Sequence, residues 1–385
     1  MFLGPRRASN RRYLFLPLML LALAGGLSLA GCRSSGVALN PPGSGSAPQQ
    51  IAVGSCTPCA KANGQTTSTA PATVDLFQPG STSSTGTLTT GIALPWVGAV
   101  FDSTGDLFVA NCQSCFTGQA GTDNVVEYPR GATSPSVTIA VNSNSEPFAL
   151  AIDSANTLYL SSLLLNGPPS AVTEYAQGYT SGPPTRSITV DEPTGIAIDP
   201  AGNLYVANCE VCNPSYFHTG ADQILVYAPG TTSPMRTITA GVNEPVALAV
   251  DSAGTLYVAN CNCGINGAPG GSDTVTEYAN GGTTLTRTVS GLTTPFAIAV
   301  DTADSLYVAN YGSNSVTKYL QGNTTPALTI TTGLNAPGAV ALDKNGTLYV
   351  SNTAGTTVSE YASTYVTGPP TATLSVQYPD VIAIR

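Results

Sequence analysis

From residue 51 onward the chain is a succession of short apolar runs, mostly alternating with polar positions and separated by clusters of Gly, Pro, Ser, Thr and Asn. A period of two over such lengths predicts β-strands, and the low charge with abundant Thr, Ser, Ala and Gly suits strands and turns better than exposed helices. The runs come in pairs: a small-residue run rich in Ala, then Asp, a tight turn usually ending in Gly, then a run of the form Leu-Tyr-Val-Ala-Asn. A carboxylate at the start of such a turn accepts backbone N–H bonds, so each pair reads as a hairpin.

The pairs are copies of one unit. EPVALAVDSAGTLYVAN (244–260) returns at 146–162, 192–208, 294–310 and 336–352, and with one extra residue at 94–111. Each copy is followed by a third run (NVVEY, AVTEY, QILVY, TVTEY, SVTKY, TVSEY) and a fourth such as RSITV or RTITA. Four antiparallel strands repeating every 42 to 52 residues from Pro to Pro are the pattern of a β-propeller blade. YPDVIAIR (378–385) supplies only the first strand of a further unit, while IAVGSC (51–56), TVDLF (73–77) and GTLTTGI (86–92) supply the second, third and fourth. The expected fold is therefore all-β, a seven-bladed β-propeller. Its last blade takes its inner strand from the C-terminal segment and its outer three from the N-terminal one, a closure that pairs the ends by hydrogen bonds and leaves no blade missing.

The Pro-x-x-Ile-Ala-Val-Asp-x-x-Gly-x-Leu-Tyr-Val-Ala-Asn units are similar to NHL repeats, and their Leu-Tyr-Val-Ala-Asn ends resemble the YVTN-type repeats of bacterial surface propellers. The likeness covers residues 51–385. It implies the fold and leaves the activity open, since enzymes, sensors and scaffolds share this architecture.

The N-terminal region changes the picture of where the chain works. Arg6, Arg7, Arg11 and Arg12 precede an apolar stretch from Leu14 to Ala24, and small residues lead to Leu29-Ala30-Gly31-Cys32. This order reads as an export signal over 1–31. Its last four residues resemble the lipobox of bacterial lipoproteins, which implies that Cys32 is acylated and anchors the chain to a membrane of the cell envelope. Residues 32–50, rich in Ser, Gly and Pro, form a flexible tether, and 51–385 form the propeller. After Cys32 the chain carries all 22 Asp and Glu against nine Lys and Arg. Without a basic stripe, nucleic acid is not an expected partner.

Cys56, Cys112, Cys209 and Cys261 fall at equivalent places, just after the second strand, and Cys59, Cys115, Cys212 and Cys263 follow them. The cysteines track the long loops, and a cross-link reduces the entropy such loops lose. In an oxidising compartment the eight are disulfide candidates whose connectivity the spacing leaves open. Pairs in neighbouring blades closing on one zinc are the alternative. Redox catalysis fits poorly, because the pairs follow strands and not a helix N-terminus.

Candidate chemistry is sparse. Asp102, Asp153, Asp199, Asp251, Asp301 and Asp343 recur as turn residues. Glu146, Glu192 and Glu244 precede the Pro that opens three consecutive blades, and Asp380 has a comparable place; converging near the axial mouth on the cysteine-loop face, they would bind a cation or cationic ligand. His218 is the only histidine, whereas the streptogramin and peptide-amidating lyases, propellers of similar type, depend on several. No catalytic residue and no cofactor are assigned. The expectation is a monomeric, lipid-anchored binding or scaffold module that presents its loop-rich face to a protein, glycan or small ligand. The alternative is a lyase or hydrolase using the acidic mouth and a bound metal, recognisable by a nucleophile such as Ser or Tyr partnered with a base in one pocket.

Overall fold

A computed structural model of the chain describes residues 49–55, 72–95, 98–112, 123–141, 145–164, 170–180, 182–209, 221–261, 273–279 and 282–385. The export signal, Cys32, most of the tether, Trp96, His218, Cys56, Cys59, Cys115, Cys212 and Cys263 lie outside them. Seven four-stranded antiparallel sheets form the blades of a propeller. The inner strands are Gly98–Phe101 (blade 1), Ser145–Ile152 (blade 2), Pro193–Ile198 (blade 3), Pro245–Val250 (blade 4), Pro295–Val300 (blade 5), Pro337–Leu342 (blade 6) and Pro379–Ile384 (blade 7). Blade 4 then runs outward through Leu256–Asn260, Thr274–Tyr278 and Leu285–Val289.

Blade 7 closes as its two half-sequences predict. Its inner strand, Pro379–Ile384, pairs with Ile51–Ser55, which pairs with Thr73–Phe77 and then Gly86–Leu88. The register runs Ile51 to Ile384 and Ala52 to Ala383, and the Arg385 N–H extends it by donating to the Gln50 carbonyl. Gly54 is needed at this seam. A Cβ there would lie 2.8 Å from the Pro95 carbonyl oxygen and 2.5 Å from Val381.

Burial follows position in the blade. The inner and second strands of blade 4 are buried or nearly so at every residue, because neighbouring blades cover both faces; its outermost strand alternates. The core is correspondingly divided. Seven clusters are found among the described residues, each built from two adjacent blades, including blades 6 with 7 and 7 with 1. Small inner-strand residues such as Ala249, Ala299 and Ala341 let the sheets approach around the axis.

Two recurrent polar residues hold the hairpins and connections. In blade 4 the Asp251 Oδ1 accepts the Ala253 and Thr255 backbone N–H groups, and Oδ2 accepts the Tyr257 hydroxyl at 3.3 Å. The turn needs a left-handed residue, which is Gly254 here, and Asn156 and Asp304 in blades 2 and 5. At the other end of the hairpin, Asn260 accepts the Asn243 N–H and donates to the Gly241 carbonyl and to the Thr274 and Thr276 hydroxyls. The Asn of Leu-Tyr-Val-Ala-Asn thus staples the incoming connection to the third strand.

Candidate ligand cavity at the axial mouth

The inner strands all run in the same direction along the propeller axis, so their last residues meet at one end of it. Ile152, Ile198, Val250, Val300, Leu342 and Ile384, each the last residue of its strand, form an aliphatic collar around a cavity of about 220 Å³. The next residue in five of these blades is the turn aspartate, so Asp153, Asp199, Asp251, Asp301 and Asp343 surround the collar, with hydroxyls from Ser154, Ser252 and Thr302 beside them. Lys344 and Arg385 are the cations of the rim. The cavity therefore joins an apolar floor to a negatively charged mouth.

Arg385 stands where the other blades have Asp. Its guanidinium lies 5.8 Å from the Phe101 ring centroid and reaches over Gly105 in the blade 1 turn, where a Cβ would collide with it. Burial and the nearby Arg130 pull its pKa down, while Asp102 and Asp106 favour its charge. The side chain latches blade 7 to blade 1 from the cavity side.

The rim carboxylates remain turn residues. Asp153, Asp199, Asp251 and Asp301 each accept backbone N–H bonds through Oδ1 and a Tyr hydroxyl (Tyr159, Tyr205, Tyr257, Tyr307) through Oδ2 at 3.2 to 3.3 Å. Burial, with help from neighbouring carboxylates, pushes the pKa of these four hydroxyls up. A Tyr partnered with a carboxylate was the pattern expected of an enzyme. Here the four hydroxyls stay neutral, lie behind the rim and brace the turns.

The four carboxylates singled out for the mouth lie at the other end of the inner strands. The Glu192 and Glu244 carbonyls accept the Cys209 and Cys261 N–H groups, and the Leu94 carbonyl accepts that of Cys112, so these residues do share the cysteine-loop face. The Glu192 N–H donates to Asn208 and that of Glu244 to Asp222. Glu146 and Glu192 are buried, and none of Glu146, Glu192, Glu244 or Asp380 lines the axial cavity. The Asp380 Oδ2 is enclosed without a hydrogen-bond partner, and burial raises its pKa well above the usual carboxylate range. Among the described residues no three His, Cys, Asp or Glu side chains form a set able to hold a metal. Cys112, Cys209 and Cys261 are fully buried.

No family model matches the chain, and neither does any of the curated proteins. Solved structures do match its fold. A protein from Lactobacillus plantarum superposes with a TM-score of 0.65 at 14% identity, covering 88% of this chain and 100% of that one. A provisionally assigned 6-phosphogluconolactonase from Bacteroides uniformis gives 0.62 at 14% identity over 88% and 99% of the two chains. The Kuenenia stuttgartiensis hydrazine synthase gives 0.59 at 17% identity over 76% and 90%. At these identities the likeness is one of fold, and it joins this chain to propeller proteins with unlike activities.

Proposed function

We propose that the chain is an exported lipoprotein of the NHL/YVTN type, anchored through Cys32 to a membrane of the bacterial envelope. Its propeller acts there as a monomeric binding module. The export signal, the lipobox-like Leu-Ala-Gly-Cys and the uncharged tether support the location. The cysteines of the long loops form disulfides in this reading, which agrees with Cys112, Cys209 and Cys261 being fully buried. In the exported chain, the eight cysteines beyond Cys32 are expected to resist alkylation until reduced, with no zinc bound. Free thiols with stoichiometric zinc would overturn that assignment.

The axial cavity carries the binding reading. An aliphatic floor under a carboxylate and hydroxyl rim suits a small ligand with an apolar body and a cationic head, such as a primary alkylammonium group. The rim aspartates are held in fixed positions by the bonds of their turns, so the site is pre-organised. Butylammonium is expected to bind saturably, while butyrate and butanol do not. Ser252 is an exposed turn residue on the rim, so Ser252→Trp is expected to block the mouth and abolish binding without disturbing the core. Equal binding of all three probes, or wild-type affinity in Ser252→Trp, would remove the cavity from the reading.

A further inference from the structure

One row of residues crosses blades 2 to 6 at the same register, and blades 2 to 5 differ in where its positive charge comes from. Outward from the axis the row is Ala151-Tyr159-Glu174-Arg186 in blade 2, Ala197-Tyr205-Val226-Arg236 in blade 3 and Ala249-Tyr257-Glu277-Arg287 in blade 4. In blade 5 it is Ala299-Tyr307-Lys318-Leu328. Each of these rows brings one cation beside a Tyr, and each Tyr hydroxyl is bonded to the turn aspartate. Arg186 pairs with Glu174, and Arg287 with Glu277 at 2.5 Å. Arg236 donates to the Tyr205 hydroxyl, and Lys318 to Asp301 with its Nζ 4.8 Å from the Tyr307 ring centroid.

Blade 6 has the acceptors without the cation. Its row is Ala341-Tyr349-Glu360-Ala372, so alanine stands where three sister blades carry arginine. Glu360 is 7% exposed and its Oε2 has no hydrogen-bond partner. The Tyr349 hydroxyl, on a residue that is 0% exposed, is also unpartnered, although its counterparts in blades 2 to 5 all donate to their aspartates. The blade's turn aspartate, Asp343, uses Oδ1 for the Asn345 and Thr347 N–H groups. Two carboxylates and a phenol oxygen are thus gathered where the row meets its turn, two of these groups lack the bond their position makes elsewhere, and the side chain that would complete them is cut back to a methyl. Buried polar groups left in this state destabilise the fold, the more so when charged. That cost falls away if a partner occupies the gap.

We propose that blade 6 binds a hard metal cation between Glu360, Asp343 and the Tyr349 hydroxyl, in the place that a guanidinium or ammonium group takes in the sister blades. Two carboxylates without a counter-charge favour a divalent ion, and an all-oxygen donor set favours calcium over softer metals, with water completing the shell. Asp343 also lines the axial cavity, which provides the route of entry. The site does not depend on what the cavity itself binds.

The test uses the exported full chain, stripped with a chelator and titrated with calcium alone, read by calorimetry and by thermal unfolding. The wild type is expected to bind one calcium and to melt at higher temperature when it is present. Ala372→Arg restores the row of blades 2 and 4, so it should melt above the metal-free wild type and lose the response to calcium. Glu360→Gln keeps the shape and removes a ligand charge, and it should lose calcium binding too, which decides the matter should the arginine variant fail to fold. A wild type indifferent to millimolar calcium, or either folded variant binding it as the wild type does, would overturn the proposal.

Discussion

Asn260→Ala is expected to destabilise the chain by about 3 kcal/mol or more, while Asn310→Ala, the same change one blade on, costs about 1 kcal/mol. Both asparagines end a Leu-Tyr-Val-Ala-Asn strand and both are buried. Asn260 uses its amide fully, taking the Asn243 N–H and donating to one carbonyl and two hydroxyls. Alanine there removes those bonds, leaves buried partners unpaired and opens a gap the surrounding strands cannot fill. Asn310 bonds only through Nδ2, to the Val308 carbonyl and the Thr317 hydroxyl; its Oδ1 is buried without a partner. The connection into blade 5 keeps the bond by which Asp273 accepts the Thr294 N–H at 2.8 Å, the counterpart of the Glu244 N–H to Asp222 bond in blade 4, but has no counterpart of the Asn243 N–H to Asn260 bond. Truncating Asn310 therefore relieves one unpaired acceptor while breaking two bonds. Urea unfolding of the two variants measures the difference, and equal losses would show that the staple contributes little.

The ring of seven blades was legible because the repeat carries both strand period and strand order, and because the two half-units at 51–92 and 378–385 complement each other position by position. The Asp of each turn was legible for the same reason: its role is set within six residues of itself, from the N–H groups it accepts to the Tyr it braces. The Asn recurs at 111, 208, 260, 310 and 352, yet its role was not read from the pattern. A conserved-looking polar residue at a strand end has the same signature whether it is solvated or stapling a connection, and its partners at 241 and 274 lie far apart in sequence. The position of the cavity was also hidden. An alternating strand buries its residues equally well at either end, so nothing in the pattern of Glu146, Glu192 and Glu244 distinguished the cysteine-loop mouth from the one the inner strands run toward. The blade 6 gap is hidden more deeply still. Glu360 and Ala372 are separated as Glu174 and Arg186 are, but Glu277 and Arg287 are closer because the connection from the third to the fourth strand is shorter in blade 4, from Tyr278 to Leu285, than in blade 2, from Tyr175 to Arg186. Only the strand register brings the rows into correspondence.

The seven interblade clusters also determine how a local change spreads. Each blade shares its core with two neighbours, so loss of a staple in one blade loosens two packed layers and not the whole ring. Arg385 and the Gly54 seam are different, because they hold the blade assembled from both ends of the sequence. Weakening there opens the ring itself.

Asp380 sits in that closing blade, and Asp380→Asn is expected to stabilise the chain at neutral pH by on the order of 2 kcal/mol. The Asp380 Oδ2 is enclosed with no partner, and burial holds its pKa well above the usual value. The sign follows from linkage. A carboxylate whose folded pKa is raised is bound more tightly to its proton in the folded chain than in the unfolded one, so its favourable contribution is complete below the unfolded pKa and is lost as pH rises through the folded pKa. The wild type should therefore lose stability as pH climbs from about 4 through the raised pKa of Asp380. Asparagine has no such transition, and its amide can donate where the ionised acid cannot. Glu127 and Glu360 are also raised, Glu127 by burial and then by Asp106 and Asp102, Glu360 by burial and then by Asp343. Both remain in the variant, so the difference between variant and wild type isolates Asp380. Unfolding free energies across the range from pH 4 to pH 8 should coincide at the acid end and diverge in favour of the variant toward the alkaline end. A constant difference over that range, or a variant weaker at pH 8, would mean that Asp380 is ionised and paired in the folded chain.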